Sequence, residues 1–484
     1  MVFASLVFLC IFLPINIILY FLTDSQTFRN WLLVVASMLF YAWGEPIWVV
    51  LLLFSSIVDY ANGLWIERFR GTGWDKLAVV STLVTNLGLL AIFKYNVFLY
   101  ETVNAVTGLG LEVPAGFALP IGISFYSFQT LSYTIDVYRG EVPAQRSFLK
   151  FLMFVSLYFQ LVAGPIVRYA TIAEDIENRR TTRRDISQGI LRFCIGLFKK
   201  VCIANIAATF VAQYMGTDKE PVDFNTLSFG EAWFGLAMYS VQIYFDFSGY
   251  SDMAIGLARM FGFNFLENFN YPYISRSATE FWRRWHISLG TFFRDYVYIP
   301  LGGNKRRQYL NLFIVWALTG LWHGASWNFV LWGLYFGILI FLEKLFLLRF
   351  LEKLPRFVSH VYLLIIAMLG WALFYFDQKN FGADYFAQLQ HFLSILFGNV
   401  TAENGWWSPQ LSLAIWENLN WLLLAFVLCT PVYPYLSRRW EVDLRNNSPT
   451  AYFVWVNALQ LILLLFAITM LVGNTYNPFI YERF

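Results

Sequence analysis

Residues 308–342 read QYLNLFIVWALTGLWHGASWNFVLWGLYFGILIFL, a stretch without any Asp, Glu, Lys or Arg. A helical run of this length is long enough to cross the hydrocarbon core of a bilayer, which is about 30 Å thick. The stretch contains His323, one of only four histidines in 484 residues. Ionisable side chains inside apolar spans are costly and usually serve a function. The stretch therefore predicts a membrane protein with a functional histidine inside it.

The composition of the whole chain agrees with this interpretation. Hydrophobic residues make up 58% and charged residues 13%, with a mean hydropathy of +0.54, whereas soluble domains carry about 25% charged residues. We predict an all-α polytopic membrane protein with one membrane-embedded domain over residues 1–484. We expect about ten or eleven transmembrane helices plus re-entrant segments. The uncharged runs that support this count include 1–23, 113–135, 357–376, 418–437 and 446–481.

Several protein classes are disfavoured by the same sequence. The first run lacks a positive region and a cleavage site, so we interpret it as a retained helix and not a signal peptide. The four cysteines form no C-x-x-C pair, which argues against a disulfide framework or a zinc site. His286 and His323 do not have the spacing of metal ligands, so no metal is expected. No nucleic-acid motif is present.

Basic residues are concentrated in particular connections. The segment from Arg168 to Lys200 contains eight Lys and Arg residues and four acidic residues. The segment from Arg276 to Arg307 contains seven Lys and Arg residues and two acidic residues. The positive-inside rule assigns both segments to the cytoplasm and, less strongly, segments 216–226 and 376–415 to the outside. Two apolar stretches then have cations at both ends. We expect re-entry at 151–167, near Gly164 and Pro165, and a break near His323 in 308–342.

The surroundings of His323 suit a reaction site. Gly320 and Gly324, like Gly333 and Gly337, have a spacing that allows close helix packing or leaves a channel. Trp316 and Thr319 share a helical face with His323. Burial favours a neutral imidazole, which can act as a general base. A proton-relay histidine of a transporter, or a core histidine with satisfied hydrogen bonds, are the alternatives.

Charged residues elsewhere leave further alternatives open. Asp246 and Asp252 fall in or near a span, where buried carboxylates paired with arginine or hydroxyl groups are the simpler interpretation. Arg283 and Arg284 alternate with aromatic residues around His286. This basic run fits a solvated cytoplasmic face, a lipid-headgroup contact, or a cradle for a phosphorylated donor.

Three long motifs resemble the membrane-bound O-acyltransferase family, in particular its branch for bacterial alginate O-acetylation. They are YFDFSGYSDMAIG (244–256), NFNYPYISRSATEFWRRWHISLGTFFRDYVYIPLGG (268–303) and LTGLWHGASWNFVLWGLYFG (318–337). The resemblance extends over most of the chain, from LPIGISFYSFQTLSYTIDVYRG (119–140) to its C-terminal residues. One departure is LYFG at 334–337, where relatives often have LYHG.

The resemblance implies a ring of helices around a central funnel, with His323 as the catalytic histidine deep in a tunnel. His286 matches a second family position, which is His in this branch and Asn in many eukaryotic members. Donor binding or tunnel lining is assigned to five further residues: Arg283, Arg284, Trp322, Asn328 and Asp252. Trp322 and Asn328 are also possible oxyanion donors.

The implied activity is transfer of an acetyl group from a cytoplasmic thioester such as acetyl-CoA, with no permanently bound cofactor. The acyl group would cross the membrane to O-acetylate an exported, alginate-like polysaccharide. A periplasmic acetyl-accepting protein of the SGNH type would receive it, and the enzyme would be a multi-pass protein of the bacterial inner membrane. The alternative is a proton-coupled transporter or flippase for an acyl or polysaccharide precursor.

Overall fold

The computed structural model describes residues 1–217, 220–400, 405–473 and 479, and every regular element in these ranges is a helix. Six helices are long and apolar enough to cross a membrane, and a pair bent by 69° would make a seventh span. The prediction of an all-α polytopic membrane protein is therefore confirmed, while the larger number of crossings and the central funnel stay predictions. The six helices are Val49–Arg68, Trp74–Phe93, Arg183–Met215, Trp327–Leu351, Arg356–Tyr375 and Pro449–Val472, and the bent pair is Pro409–Glu417 with Leu419–Leu428.

The chain divides into two compact units. The first comprises Met1–Leu197, Tyr250–Glu267 and Leu465–Phe484, and the second comprises Phe198–Gly249 and Asn268–Leu464. The prediction of a single domain stays a prediction. In the first unit the α-helices are Leu13–Phe21, Gln26–Gly44, Val49–Arg68, Trp74–Phe93, Asn96–Thr107, Ile123–Arg139, Phe148–Ser156, Tyr158–Leu161, Tyr169–Asn178 and Arg183–Phe198.

Helix Phe229–Met260 contributes residues to both units. In the second unit the other α-helices are Asn205–Met215, Ala278–Arg284, Ile287–Phe293, Gln308–His323, Trp327–Leu342, Leu348–Leu351, Arg356–Tyr375, Gln378–Phe381, Tyr385–Leu396, Pro409–Glu417, Leu419–Leu428 and Val432–Asn447, followed by Pro449–Val472, whose last residues belong to the first unit. Short π- or 3₁₀-helical turns are Phe8–Phe12, Lys199–Ala204, Phe224–Thr226, Pro272–Ile274, Arg294–Tyr298, Glu343–Leu347 and Gly382–Asp384.

The first unit holds a buried polar cluster between three helices. Asp59 is fully buried, and one of its carboxylate oxygens accepts a hydrogen bond from the Asn86 amide at 2.8 Å. The Asn86 carbonyl oxygen in turn accepts from the hydroxyls of Ser55 and Thr130. These bonds provide partners for the Asn86 amide group and one Asp59 oxygen, which would otherwise be costly to bury in an apolar helical core.

The apolar stretch that contains His323 is broken, as predicted. One helix, Gln308–His323, ends at the histidine, and a second, Trp327–Leu342, begins after three residues. The two helices pack at very short range, because a Cβ on Gly333 would lie 2.2 Å from the Trp316 carbonyl oxygen. Glycine is thus required for this contact, and the close packing fixes the end of the first helix, where His323 lies.

The other predicted break is also present. Residues 151–167 form the end of helix Phe148–Ser156, the short helix Tyr158–Leu161, and an irregular segment through Gly164. Every residue in this stretch is buried. Its interrupted backbone is therefore covered by protein, which is the condition for irregular chain at membrane depth. Whether it re-enters the bilayer stays a prediction.

Candidate functional site

His323 lies in an aromatic enclosure in the second unit. The residue is 2% exposed. Its imidazole packs edge-to-face against the rings of Trp322 and Trp332, each with centroids 4.9 Å apart, and against Phe374 at 5.3 Å. These rings keep bulk water from the histidine, which strengthens electrostatic interactions with any group bound beside it.

His286 lies at the turn between helices Ala278–Arg284 and Ile287–Phe293. Its backbone is left-handed, with φ of +45°, and its side chain is 1% exposed. The ring packs against Phe247 with centroids 4.7 Å apart. His286 does not belong to any of the six helices that are long enough to span the membrane. Burial lowers the pKa of its imidazole, because desolvation disfavours the charged form. The ring is therefore neutral at physiological pH.

A cavity of about 550 Å³ extends from His286 to the protein surface. Its walls include Trp282, Trp316 and Thr319. Three cationic side chains that also line it, all on exposed residues, are Arg283, Arg294 and Lys344. A cavity with exposed cations and a buried neutral histidine suits a ligand that has an anionic part and a reactive part.

Trp322 joins the two histidines. Its ring centroid is 5.9 Å from that of His286 and 4.9 Å from that of His323. The two histidines therefore belong to one cluster, although 37 residues separate them in the sequence. His286 lines the described cavity, whereas His323 is not among the described residues that line it. Trp316 and Thr319, expected beside His323, line that cavity together with His286.

The other predicted site residues differ in their surroundings. Arg284 is not among the described residues that line the cavity, since its guanidinium bonds the Glu280 carboxylate at 3.0 Å and the Asn270 carbonyl. Asn328 is fully buried and donates to the Leu373 carbonyl at 3.2 Å. The roles predicted for both in binding or oxyanion stabilisation stay predictions.

The two aspartates of helix Phe229–Met260 pair with cations: Asp252 with an arginine, as the simpler interpretation expected, and Asp246 with a lysine, which that interpretation did not name. Asp252, in the first unit, accepts hydrogen bonds from the Arg192 guanidinium at 2.6 and 2.8 Å. Asp246, in the second unit, forms a buried ion pair with Lys200. A donor-binding role for Asp252 stays a prediction, because its observed partner explains its burial without a ligand.

Glu343 was not singled out from the sequence, although it is the first charge after the apolar stretch 308–342. The residue is 1% exposed, and its carboxylate accepts from the backbone N–H groups of Ala278 and Thr279 at 2.6 and 2.8 Å. It also accepts from the hydroxyls of Thr279 and Tyr362. These four bonds anchor the start of the helix that leads to His286.

Trp332 was also missed. Its indole N–H is buried and has no hydrogen-bond acceptor among the described residues, while its ring lies against His323. A buried donor without an acceptor is uncommon in native proteins and calls for an explanation. No local signal in the sequence distinguishes this tryptophan from its many aromatic neighbours.

Comparison with known proteins shows the family to which this chain belongs. A sequence model of the membrane-bound O-acyltransferase family matches residues 1–382. The chain is 38% identical to the probable alginate O-acetylase AlgI of Pseudomonas putida, over the full length of both chains. It is also 34% identical to the peptidoglycan O-acetyltransferase of Helicobacter pylori, with 77% of each chain covered.

A more distant similarity is to the teichoic acid D-alanyltransferase of Bacillus subtilis, at 28% identity over 46% of this chain and 60% of that one. The chain belongs to the membrane-bound O-acyltransferase family. It is thus a multi-pass membrane enzyme that transfers acyl groups to hydroxyl acceptors. This identification supports the enzyme interpretation over the transporter interpretation.

Proposed function

We propose that this enzyme takes an acetyl group from a cytoplasmic thioester, such as acetyl-CoA, and passes it across a bacterial inner membrane for O-acetylation of an exported alginate-like polysaccharide. A periplasmic acetyl-accepting protein of the SGNH type is the proposed intermediate carrier. The similarity to alginate O-acetylases supports the acceptor class. The observation that carries the reaction itself is His323, buried among aromatic rings at the break between two closely packed helices.

In the proposed reaction, the neutral imidazole of His323 takes the proton of the acceptor hydroxyl. The hydroxyl oxygen forms a bond to the acetyl carbonyl carbon, the carbon–sulfur bond breaks, and the leaving thiolate receives the proton from the imidazolium. General-base assistance of this kind contributes about 10²- to 10⁴-fold to a rate. The Trp332 indole N–H is a suitable donor for the carbonyl oxygen that becomes negative during the attack.

The cavity beside His286 supports a cytoplasmic thioester with an anionic carrier as donor. Arg283 and Lys344 line it and can pair with phosphate groups, and Trp282 and Trp316 offer apolar walls. The third cation, Arg294, is paired with Asp295 at 2.6 Å. The basic segment 276–307 contains two of these cations, and the positive-inside rule assigns that segment to the cytoplasm. By this rule the donor would enter the cavity from the cytoplasm.

The proposal is tested with the purified enzyme in liposomes supplied with acetyl-CoA that carries a labelled acetyl group. We expect label to reach an alginate oligosaccharide when the periplasmic carrier is added, and His323→Ala to reduce transfer by at least 10²-fold. His391→Gln is the matched control, because His391 packs against Phe224 away from the histidine cluster. Transfer at the normal rate by folded His323→Ala would overturn the assignment of the base.

A further inference from the structure

Asn268 lies beside His286 and is completely buried. Three groups converge on its side-chain oxygen: the His286 Nδ1 at 3.1 Å, the Ser288 backbone N–H at 3.2 Å and the Ser288 hydroxyl at 2.8 Å. A carbonyl oxygen accepts through two lone pairs and can be shared among several donors. The direction of the bond to His286 follows from the other two.

The Ser288 backbone N–H can only donate a hydrogen bond, so the Asn268 atom that faces it must be the oxygen and not the amide nitrogen. This oxygen cannot donate to the imidazole. His286 Nδ1 must therefore carry a proton to bond Asn268. The Ser288 hydroxyl agrees, because it gives its only proton to Asn268 and lies 3.4 Å from Nδ1, where it can accept from the same N–H.

The backbone holds these groups in place. The Asn268 carbonyl accepts from the Ile287 N–H at 3.0 Å, and the Asn270 N–H donates to the Arg284 carbonyl at 2.9 Å. Two bonds therefore join the loop of Asn268 to the chain on either side of His286. They stabilise the left-handed backbone at His286, a conformation that costs energy for residues with a Cβ.

We infer that Asn268 is a positioning residue that holds neutral His286 as the tautomer with its proton on Nδ1 and its lone pair on Nε2. The inference rests on the proposed function for its consequence, since the lone pair on Nε2 makes His286 a hydrogen-bond or proton acceptor towards a bound reactant. Hydrogen bonding at one ring nitrogen commonly determines what the other nitrogen can do. Without Asn268, this preference for one tautomer would be lost.

Nitrogen-15 NMR of the histidine-labelled enzyme in lipid tests the tautomer directly. With four histidines in the chain, the His286 signals are assigned by comparison with His286→Gln. We expect a protonated Nδ1 and an unprotonated Nε2 in the unaltered enzyme, and a mixture of tautomers in Asn268→Ala. A protonated Nε2 in the unaltered enzyme, or an unchanged spectrum in folded Asn268→Ala, would overturn the inference.

Kinetics provides the second readout. Loss of the partner that orients a metal-bound histidine typically costs about 10- to 100-fold. Because Asn268 orients His286 in the same way, we expect Asn268→Ala to lower kcat by about this factor with little change in donor KM. The matched control is Asn270→Ala, an exposed asparagine on the same loop, which should retain activity. A general loss of folding would instead lower the amount of folded enzyme and leave kcat per folded molecule unchanged, so kcat and the NMR spectrum are both measured on the folded fraction.

The variant Asn268→Asp separates positioning from packing, because its carboxylate still accepts from Nδ1 and keeps the size of the side chain. A negative charge beside the ring favours the imidazolium and raises the pKa of His286. The charged groups that line the cavity with His286, namely Arg283, Arg294 and Lys344, oppose protonation, while Phe247 and Trp322 are uncharged. The acid limb of the rate–pH profile should move to higher pH in this variant, and an unshifted limb would contradict the inference.

The two proposals fail in different ways. If folded His323→Ala transfers acetyl groups normally, the base of the proposed function is wrong. If His286→Gln does so, only the acceptor role inferred here for Nε2 of His286 is wrong. The NMR result decides the tautomer by itself, whatever the transfer rate.

Discussion

The indole of Trp322 packs against the imidazole of His286, with ring centroids 5.9 Å apart, and the next residue along the chain is His323. A single side chain therefore links the wall of the cation-lined cavity to the aromatic enclosure of the second histidine. This arrangement makes the geometry of both histidines depend on one ring.

Replacing that ring by a smaller aromatic ring should affect catalysis more than stability. We expect Trp322→Phe to retain the fold and lose part of the transfer rate, because the smaller ring cannot support both histidines. Trp322→Ala should also lower the free energy of unfolding by about 3–5 kcal/mol, as usual for a large buried ring. Transfer assays and melting temperature in detergent measure the two effects, and Trp416→Ala, at a 75% exposed position, is the control.

The neighbouring arginines 283 and 284 offer a matched pair for the donor site. Arg283 lines the cavity, whereas Arg284 bonds Glu280 and the Asn270 carbonyl. A hydrogen bond to a charged group contributes about 1.5–3 kcal/mol, so Arg283→Gln should raise the donor KM by roughly 10- to 100-fold. Arg284→Gln should leave this KM nearly unchanged. Equal effects of both substitutions on KM would refute a specific role of Arg283.

Gly333 permits the close packing of the helix that bears His323. In Gly333→Ala the added methyl would meet the Trp316 carbonyl oxygen at 2.2 Å, so the two helices must separate. We expect a loss of stability of about 1–3 kcal/mol, typical of overpacking, and a large loss of transfer. Gly88→Ala is the control, because that helical glycine has nothing within 4 Å of an added Cβ. A normal melting temperature in Gly333→Ala would contradict this packing.

Removing one partner of the buried ion pair between Lys200 and Asp246 should destabilise the protein more than removing both. Lys200 and Asp246 have side chains 5% and 2% exposed. Lys200→Met leaves a carboxylate buried without this partner, which costs about 3–5 kcal/mol in comparable cases. The double variant Lys200→Met with Asp246→Leu should recover most of that loss. Thermal unfolding in detergent measures both, and a double variant less stable than the single one would refute this pairing.

The predicted topology can be tested by labelling single cysteines from outside the cell in a cysteine-free background. The charge distribution predicts that Asn399→Cys is labelled and Arg180→Cys is not. Both positions are exposed, so access to the reagent depends on the side of the membrane. The opposite labelling pattern would invert the orientation, and with it the proposed side of donor entry.

The sequence predicted the helical membrane fold and the position of His323 at a break, since uncharged runs and a glycine-rich interruption are local signals. It also led to His286 through the motif around it. The hydrogen bonds that the side chains of Asn268 and Glu343 accept were not predictable, because each depends on how the chain folds back on itself. Asn268 lies within the motif 268–303, which was recognised as a whole. Nothing in that motif indicated which side chains would form hydrogen bonds with the Asn268 amide group.

Helix Tyr385–Leu396 shows how helical periodicity can be misread. In the sequence, Phe386, Leu389, Leu393 and Leu396 recur at spacings of three, four and three, which predicts an apolar face for the outer membrane surface or a periplasmic partner. In the structure the buried residues are Tyr385, Leu389, Phe392, Ile395 and Leu396, whereas Phe386 is 40% exposed. The predicted apolar face and the observed buried face share Leu389 and Leu396. Only packing against the rest of the second unit determines which face is buried. A partner contact through Leu389 is therefore wrong, because that side chain lies in the core.

The left-handed backbone at His286 also limits which residues evolution can place there. Among residues with a Cβ, asparagine, aspartate and histidine adopt positive φ most readily. The family resemblance implies that this position is His in one branch and Asn in many eukaryotic members, and both belong to that small set. Backbone geometry therefore restricts which residues can occupy this position, independently of their chemistry. His286→Asn keeps the left-handed backbone with less strain than His286→Ala, so it tests the chemical role of the imidazole with less disturbance of the backbone.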